Sequence, residues 1–172
     1  NNNTIIHVGE NIPHPKFQLN PITLLLKRFV NRKAKKFVCT SPVARRALIH
    51  EGVNKSKIYV IQNAITIPPY EEKKIYDKSI IFVGKCSKQK GLDFLIRVAE
   101  GFDQVKSLTI VGQLADVEIR KHPKIRYLGS LDNDEIFKEI RKHSLLVLPS
   151  RTEINNEEQF GMVLLESLAV GV

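Results

Sequence analysis

Short apolar runs of strand length alternate with segments of helical period along most of the chain. Residues 4–8 form the first such run, and a loop follows in which His14 stands between Pro13 and Pro15. Asn20-Pro21 predicts a helix start, because an Asn side chain accepts from orphan amides and Pro suits the first helical position. Ile22, Leu25, Leu26, Phe29 and Val30 then recur at helical spacing, with Lys27, Arg28, Arg32, Lys35 and Lys36 mostly on other faces. Phe29 and Phe37 read as core residues. A strand is predicted over 37–40, a helix from Ser41-Pro42 to a stop at Gly52, and a strand over 57–61. Pro68-Pro69 and the charged run Glu71-Glu72-Lys73-Lys74 read as a linker between domains.

The same grammar recurs beyond the linker. Strands are expected over 80–83, 108–111, 125–128 and 145–148, the first three closed by Gly84, Gly112 and Gly129 and the last by Pro149-Ser150. Helices are expected over about 92–102, 135–142 and 161–170, the middle one opened by a capping-box-like pair, Asp132 and Glu135. Strands separated by crossover helices imply a parallel sheet of the doubly wound, Rossmann-like α/β class, with ligands at the carboxyl ends of the strands. The predicted organisation is a partial α/β domain over 1–67, a linker over 68–78, and a Rossmann-like domain over 79–172. The strand-like start without a preceding element and the final helix running straight to the terminus make both ends read as interior points of a longer chain.

Composition narrows the class. A 42% apolar and 26% charged chain of 172 residues describes an ordinary globular protein. No window approaches the ~20 apolar residues of a membrane span. Two cysteines, Cys39 and Cys86, are too few for a disulfide framework and suggest reduced thiols in the cytoplasm. The five histidines are scattered and predict no metal cluster. The net charge of +9 is concentrated: residues 11–50 hold nine Lys or Arg and no Asp or Glu. Such a region reads either as an acidic partner's footprint (nucleic acid, anionic lipid or a phosphorylated substrate) or as a solvated helix face.

Three strand ends carry candidate chemistry. In Gly84-Lys85-Cys86-Ser87-Lys88-Gln89-Lys90-Gly91, two glycines and three lysines precede a helix, a setting that suits a diphosphate, although a polar turn would look the same. Gly129-Ser130-Leu131-Asp132 would present backbone groups to a base edge, or serve only as a helix cap. The stretch from Pro149-Ser150 leads to Glu158, to Phe160-Gly161 at a helix start, and to Glu166 within that helix. A carboxylate there would make charge-assisted hydrogen bonds to sugar hydroxyls, and the amides would stabilise a leaving phosphate. The helix dipole alone would also favour an acid at that place.

As an ordered set, Gly84-Lys85, Lys90-Gly91, Pro149-Ser150, Glu158-Gln159-Phe160-Gly161 and Glu166 resemble the C-terminal domain of retaining GT-B glycosyltransferases of the group-1, or family-four, type. Residues 41–63 resemble the last helix and strand of that family's N-terminal domain. The resemblance implies transfer of a hexose from a nucleoside-diphosphate sugar, such as a UDP- or GDP-sugar, to a glycan or lipid-linked acceptor. It further implies retention of configuration, no metal or other cofactor, and a cytoplasmic place in cell-envelope glycan synthesis. Residue by residue, it makes Lys85 and Lys90 ligands of the donor diphosphate beside Gly84. Glu158 would hold hydroxyls of the transferred sugar, Phe160 and Gly161 would support the leaving group, Glu166 would bind the ribose and Leu131 would sit by the base. Glu158, Lys90 and His7 are the catalytic candidates, His7 by a looser match to the family's N-domain histidine.

Lys85 stands where the family has Arg, which keeps charge and loses bidentate geometry. Gln159 and Ala64 stand for glycines, and Gln113-Leu114 replaces a Gly-Pro turn. Two further readings accompany this one. The basic 21–36 helix would touch anionic lipid at the inner face of the membrane. A nucleic-acid-binding module, or a donor-binding fragment without activity, is the alternative; nucleic acid is not the expected partner, because stacking platforms need exposed aromatics.

Overall fold

A computed structural model describes residues 4–9, 20–67, 69, 77–151 and 161–172. The chain divides into two compact units, one running to Ala64 and the other beginning at Ile65.

The first unit is built from β1 (Ile5–Val8), α1 (Pro21–Lys33), β2 (Lys36–Cys39), α2 (Pro42–His50), a short 3-10 turn (Lys55–Lys57) and β3 (Ile58–Val60). Its strands are parallel in the order β1-β2-β3, with His7 opposite Val38 and Phe37 opposite Ile58. Local capping sets both helix starts. Asn20 accepts from the amide of Thr23 at 2.8 Å and Ser41 from that of Ala44 at 3.0 Å. Phe37, Cys39, Ala44, Leu48, Val53 and Ile58 form the core, with Ile6 and Val8 packed on it.

Here the structure departs from the sequence pattern. Phe37 is buried as expected, but Phe29 is 59% exposed, and Ile22, Leu25, Leu26 and Val30 are exposed with it. The less exposed positions of α1 are instead Leu24, Lys27 and Asn31. Polar contacts accompany this orientation. Lys27 lies 2.9 Å from Glu51, and Lys57 donates to the carbonyls of Arg32 and Ala34 at 3.1 and 2.9 Å, closing the end of the helix.

The second unit holds β4 (Ser79–Val83), α3 (Leu92–Gly101), β5 (Ser107–Val111), β6 (Ile125–Tyr127), α4 (Asn133–Arg141), β7 (Leu145–Leu146) and α5 (Met162–Ala169). All pairings are parallel, in the order β6-β5-β4-β7. Alternation along the strands separates two cores. Phe82, Leu108 and Ile110 join Leu92, Leu95, Ile96 and Ala99 of α3. Ile81, Val83 and Val111 join Ile140 of α4 and Val163 of α5. A sheet covered on both faces needs such near-continuous apolar strands. The predicted capping box is present, with the amide of Glu135 donating to Asp132 at 2.8 Å and that of Asp132 to Glu135 at 3.2 Å.

One connection between neighbouring strands, for which the sequence pattern predicts no helix, is a loop. Residues 112–124, between β5 and β6, contain no helix. Val117 and Ile119 of this loop cover the α3-side core, and Asp116 anchors it by accepting from the amide of Lys88 at 3.0 Å.

The strand order reverses between β4 and β7. In a doubly wound sheet, the crevice outside the carboxyl ends of two such strands is where ligands bind.

Candidate active site

The loop leaving β4 is held by backbone contacts that leave its lysines outward. Gly84 donates to the carbonyl of Val111 at 2.9 Å, and Cys86 to that of Gln113 at 2.8 Å, extending the β4–β5 pairing by two residues. Cys86 is buried, and desolvation pushes its thiol above the ordinary value. Its neighbours Lys85 and Lys88 are exposed, and Lys90 is half-buried. Ser87 accepts from the amide of Lys90 at 3.3 Å, turning the chain into α3.

Gly91 precedes α3 at φ +71°, a conformation that side chains resist, and a Cβ there would collide with the carbonyl of Pro149. The loops after β4 and β7 therefore touch backbone to backbone. Arg151 reinforces the contact: its amide donates to the carbonyl of Gln89 at 2.8 Å, and its Nη2 lies 3.0 and 3.1 Å from the two carboxylate oxygens of Asp93. Burial works against the ionisation of Asp93, but hydrogen bonds and charge from Arg151 outweigh it and hold this carboxyl below its ordinary range.

The third element is α5. Gly161 precedes it, no side chain caps it, and Leu148 packs within 3.0 Å of where a Gly161 Cβ would lie. The start of α5 thus adjoins the loop after β7. Two helix N-termini without side-chain caps, those of α3 and α5, flank a lysine-rich loop. Orphan amides, helix dipole and ammonium groups together favour an anion of phosphate type. Glu166 lies in the second turn of α5, half-buried, and burial raises its carboxyl above the usual range. Leu131 is half-buried against the α5-side core.

The residues expected to act together are thus partly assembled. Lys90-Gly91 adjoins Pro149 and Gly161 adjoins Leu148, so these two parts of the set border the loop after β7; Gly84 and Lys85 open the loop after β4, and Glu166 is on the helix that Gly161 precedes. Glu158 and Phe160 lie outside the described residues. His7 is exposed on β1 of the first unit. Sequence reasoning missed Arg151, Asp93 and Asp116, whose partners lie 58 and 28 residues away and leave no local pattern. It also missed His143, which is buried between Thr109 Oγ1 and the Glu139 carbonyl, each at 2.8 Å. Desolvation foremost holds that imidazole below its ordinary pKa, so it is a neutral, satisfied core group.

A model of the family described as glycosyl transferases group 1 matches residues 77–172. Among curated relatives, the chain is 27% identical to an uncharacterized 41.2 kDa protein in the cps region of Klebsiella pneumoniae, over 88% of this chain and 45% of that one. It is 26% identical to the uncharacterized glycosyltransferase MJ1178 of Methanocaldococcus jannaschii, over 83% of this chain and 40% of that one. The chain therefore spans less than half the length of these relatives. Among solved structures, Anabaena Alr3699/HepE in complex with UDP superposes with a TM-score of 0.72 at 16% identity, covering 97% of this chain and 51% of that one. An S. aureus TarM mutant in complex with Fondaparinux, alpha-GlcNAc-glycerol and UDP gives 0.69 at 16% identity, covering 96% and 34%.

Proposed function

The chain belongs to the group 1 glycosyl transferases, and from that premise we propose that its second unit binds a nucleoside-diphosphate sugar for transfer of a hexose to a glycan or lipid-linked acceptor. The observation that carries this reading is the reversal of strand order between β4 and β7, where the lysine-bearing loop after β4 touches the loop after β7 and the helices that follow, α3 and α5, start without side-chain caps. The UDP in the HepE and TarM complexes supports the same ligand class.

In this reading the diphosphate lies along Lys85, Lys90 and the amides at the start of α5. These groups neutralise charge that grows on the leaving phosphate, which lowers the barrier without a metal ion. Glu166 receives the ribose hydroxyls, and its half-buried carboxyl gains strength as a hydrogen-bond acceptor from the reduced dielectric. Leu131 lies beside the base. Glu158 is the residue for the hydroxyls of the transferred sugar and His7 the further catalytic candidate, in a reaction that retains configuration. The reading places the enzyme on the cytoplasmic side of envelope-glycan synthesis.

A thermal melt with UDP, GDP, ADP and their sugar conjugates tests it. Ligand at 100 times its dissociation constant adds about 2.7 kcal/mol, a shift of several degrees. A shift with one base, lost in Lys90→Ala and Glu166→Ala, is the expected result; no shift with any of them removes the donor reading.

A second observation favours peripheral contact with anionic lipid. The exposed apolar stripe Ile22, Leu25, Leu26, Phe29 and Val30 lies on a helix that also carries Arg28, Arg32 and Lys33. An apolar face flanked by cations suits the headgroup boundary of an acidic membrane.

A further inference from the structure

We propose that the Arg151–Asp93 ion pair is a latch that positions the crevice for the donor, with Arg151 acting as a positioning residue rather than as a ligand of the diphosphate; the proposal rests on the donor-binding reading above.

Strand β7 ends its ladder early. Its pairing with β4 covers Leu145 and Leu146, and the last backbone bond of that ladder runs from Val147 to the carbonyl of Ile81 at 3.0 Å. From Leu148 onward the sheet no longer fixes the chain, although this stretch leads toward α5. Two direct ties reach the β4 side. The Arg151 amide donates to Gln89 at 2.8 Å, and the Arg151 guanidinium reaches Asp93 in the first turn of α3 at 3.0 Å. Between them Pro149 presses on Gly91. The ion pair thus sets how closely the Lys85–Lys90 wall approaches the β7 wall.

Its electrostatic effect points the same way. Asp93 stands in the first turn of α3, directly after the loop that carries Lys85 and Lys90, and an uncompensated carboxylate there would repel a diphosphate. Arg97 lies 3.7 Å from Asp93, one turn along the same helix, and so neutralises part of the charge without bridging the loops. Arg151 does both. The side chains of Arg151 and Asp93 are 46% and 21% exposed, so the pair adds little to the stability of the empty fold. Its worth lies in preorganisation, since a binding wall already held in place need not be ordered when ligand arrives.

A double-mutant cycle tests the latch. The 172-residue chain is titrated calorimetrically with UDP, GDP and ADP, and the diphosphate that binds is carried through Arg151→Ala, Asp93→Asn, the double variant and Arg151→Lys. Each single change is expected to weaken affinity roughly 3- to 10-fold, with the double variant no weaker than the singles. Arg151→Lys, which keeps charge but loses the planar guanidinium, is expected to recover part of the affinity. Ligand-free melting temperatures stay within about 3 °C of one another, which separates positioning from a general loss of fold. Equal affinity in all variants overturns the latch and leaves the donor reading intact. Tighter binding in Asp93→Asn also overturns it, because Arg151 would then be a phosphate ligand that Asp93 sequesters. If none of the three diphosphates binds the wild-type chain, the donor reading falls and the latch falls with it.

Discussion

At the scale of single residues, Gly91 and Glu166 carry opposite lessons. Gly91 is required by space and by backbone, since its φ of +71° is costly for other residues and the Pro149 carbonyl occupies the place of a Cβ. Gly91→Ala is expected to cost about 2 kcal/mol or more in a denaturant titration and to abolish nucleotide-induced stabilisation by prising the two loops apart. Glu166 is a residue the empty fold would do better without. Its folded pKa lies above the unfolded one, so the ionised form is disfavoured by folding and stability falls as pH rises through that window. Glu166→Gln removes the penalty. The variant should melt at or above wild type at pH 7 while losing about tenfold or more in nucleotide affinity; a lower melt with unchanged affinity would refute both halves.

At the scale of elements, the sheet of the second unit is stapled at the edge opposite the crevice. Asp77 Oδ1 accepts from the amide of Ser79 at 3.1 Å and from Ser144 Oγ at 3.2 Å, and Oδ2 accepts from Lys106 at 2.9 Å. One carboxylate thereby joins the starts of β4, β5 and β7. The Ser79 hydrogen bond foremost, with that of Lys106, holds Asp77 well below the usual carboxylate range. A depressed pKa contributes stability that is fully present above the unfolded value of about 3.9 and is lost as pH falls below it toward the folded value. Urea midpoints measured from pH 6 down to pH 3 should therefore fall less steeply in Asp77→Asn, which is also less stable at pH 6. Parallel curves for the two proteins would show that Asp77 does not titrate across unfolding.

At the scale of the whole molecule, charge is divided as sharply as structure. Residues 1–64 hold 11 Lys or Arg against two acidic residues, and the remainder holds 16 of each, so the net charge of +9 is carried by residues 1–64. A cationic stretch of this kind suits an anionic partner, such as the anionic membrane of the lipid-contact proposal. Co-sedimentation with liposomes containing phosphatidylglycerol should exceed that with phosphatidylcholine alone, fall with added salt, and drop in a Leu25→Ser/Phe29→Ser variant. Binding indifferent to anionic lipid would remove the membrane reading.

What rests on near neighbours is written in the order of the residues. Helix starts at Asn20, Ser41 and Asp132 were legible because each cap bonds an amide three residues on. The α/β class was legible because strand and helix impose different apolar periods, and the glycine- and lysine-bearing ends could be ordered along the chain. What depends on distant partners emerges with the packing of the folded chain. Phe29 fits the period of a buried face, yet it is exposed, while Lys27 on another face of the helix pairs with Glu51, a residue 24 positions away. The path of residues 112–124 is set because Val117 and Ile119 pack on the α3-side core and Asp116 accepts from the amide of Lys88. The strand order that makes the crevice, and the Arg151–Asp93 contact across it, arise from packing between segments tens of residues apart, and no local pattern encodes such an approach.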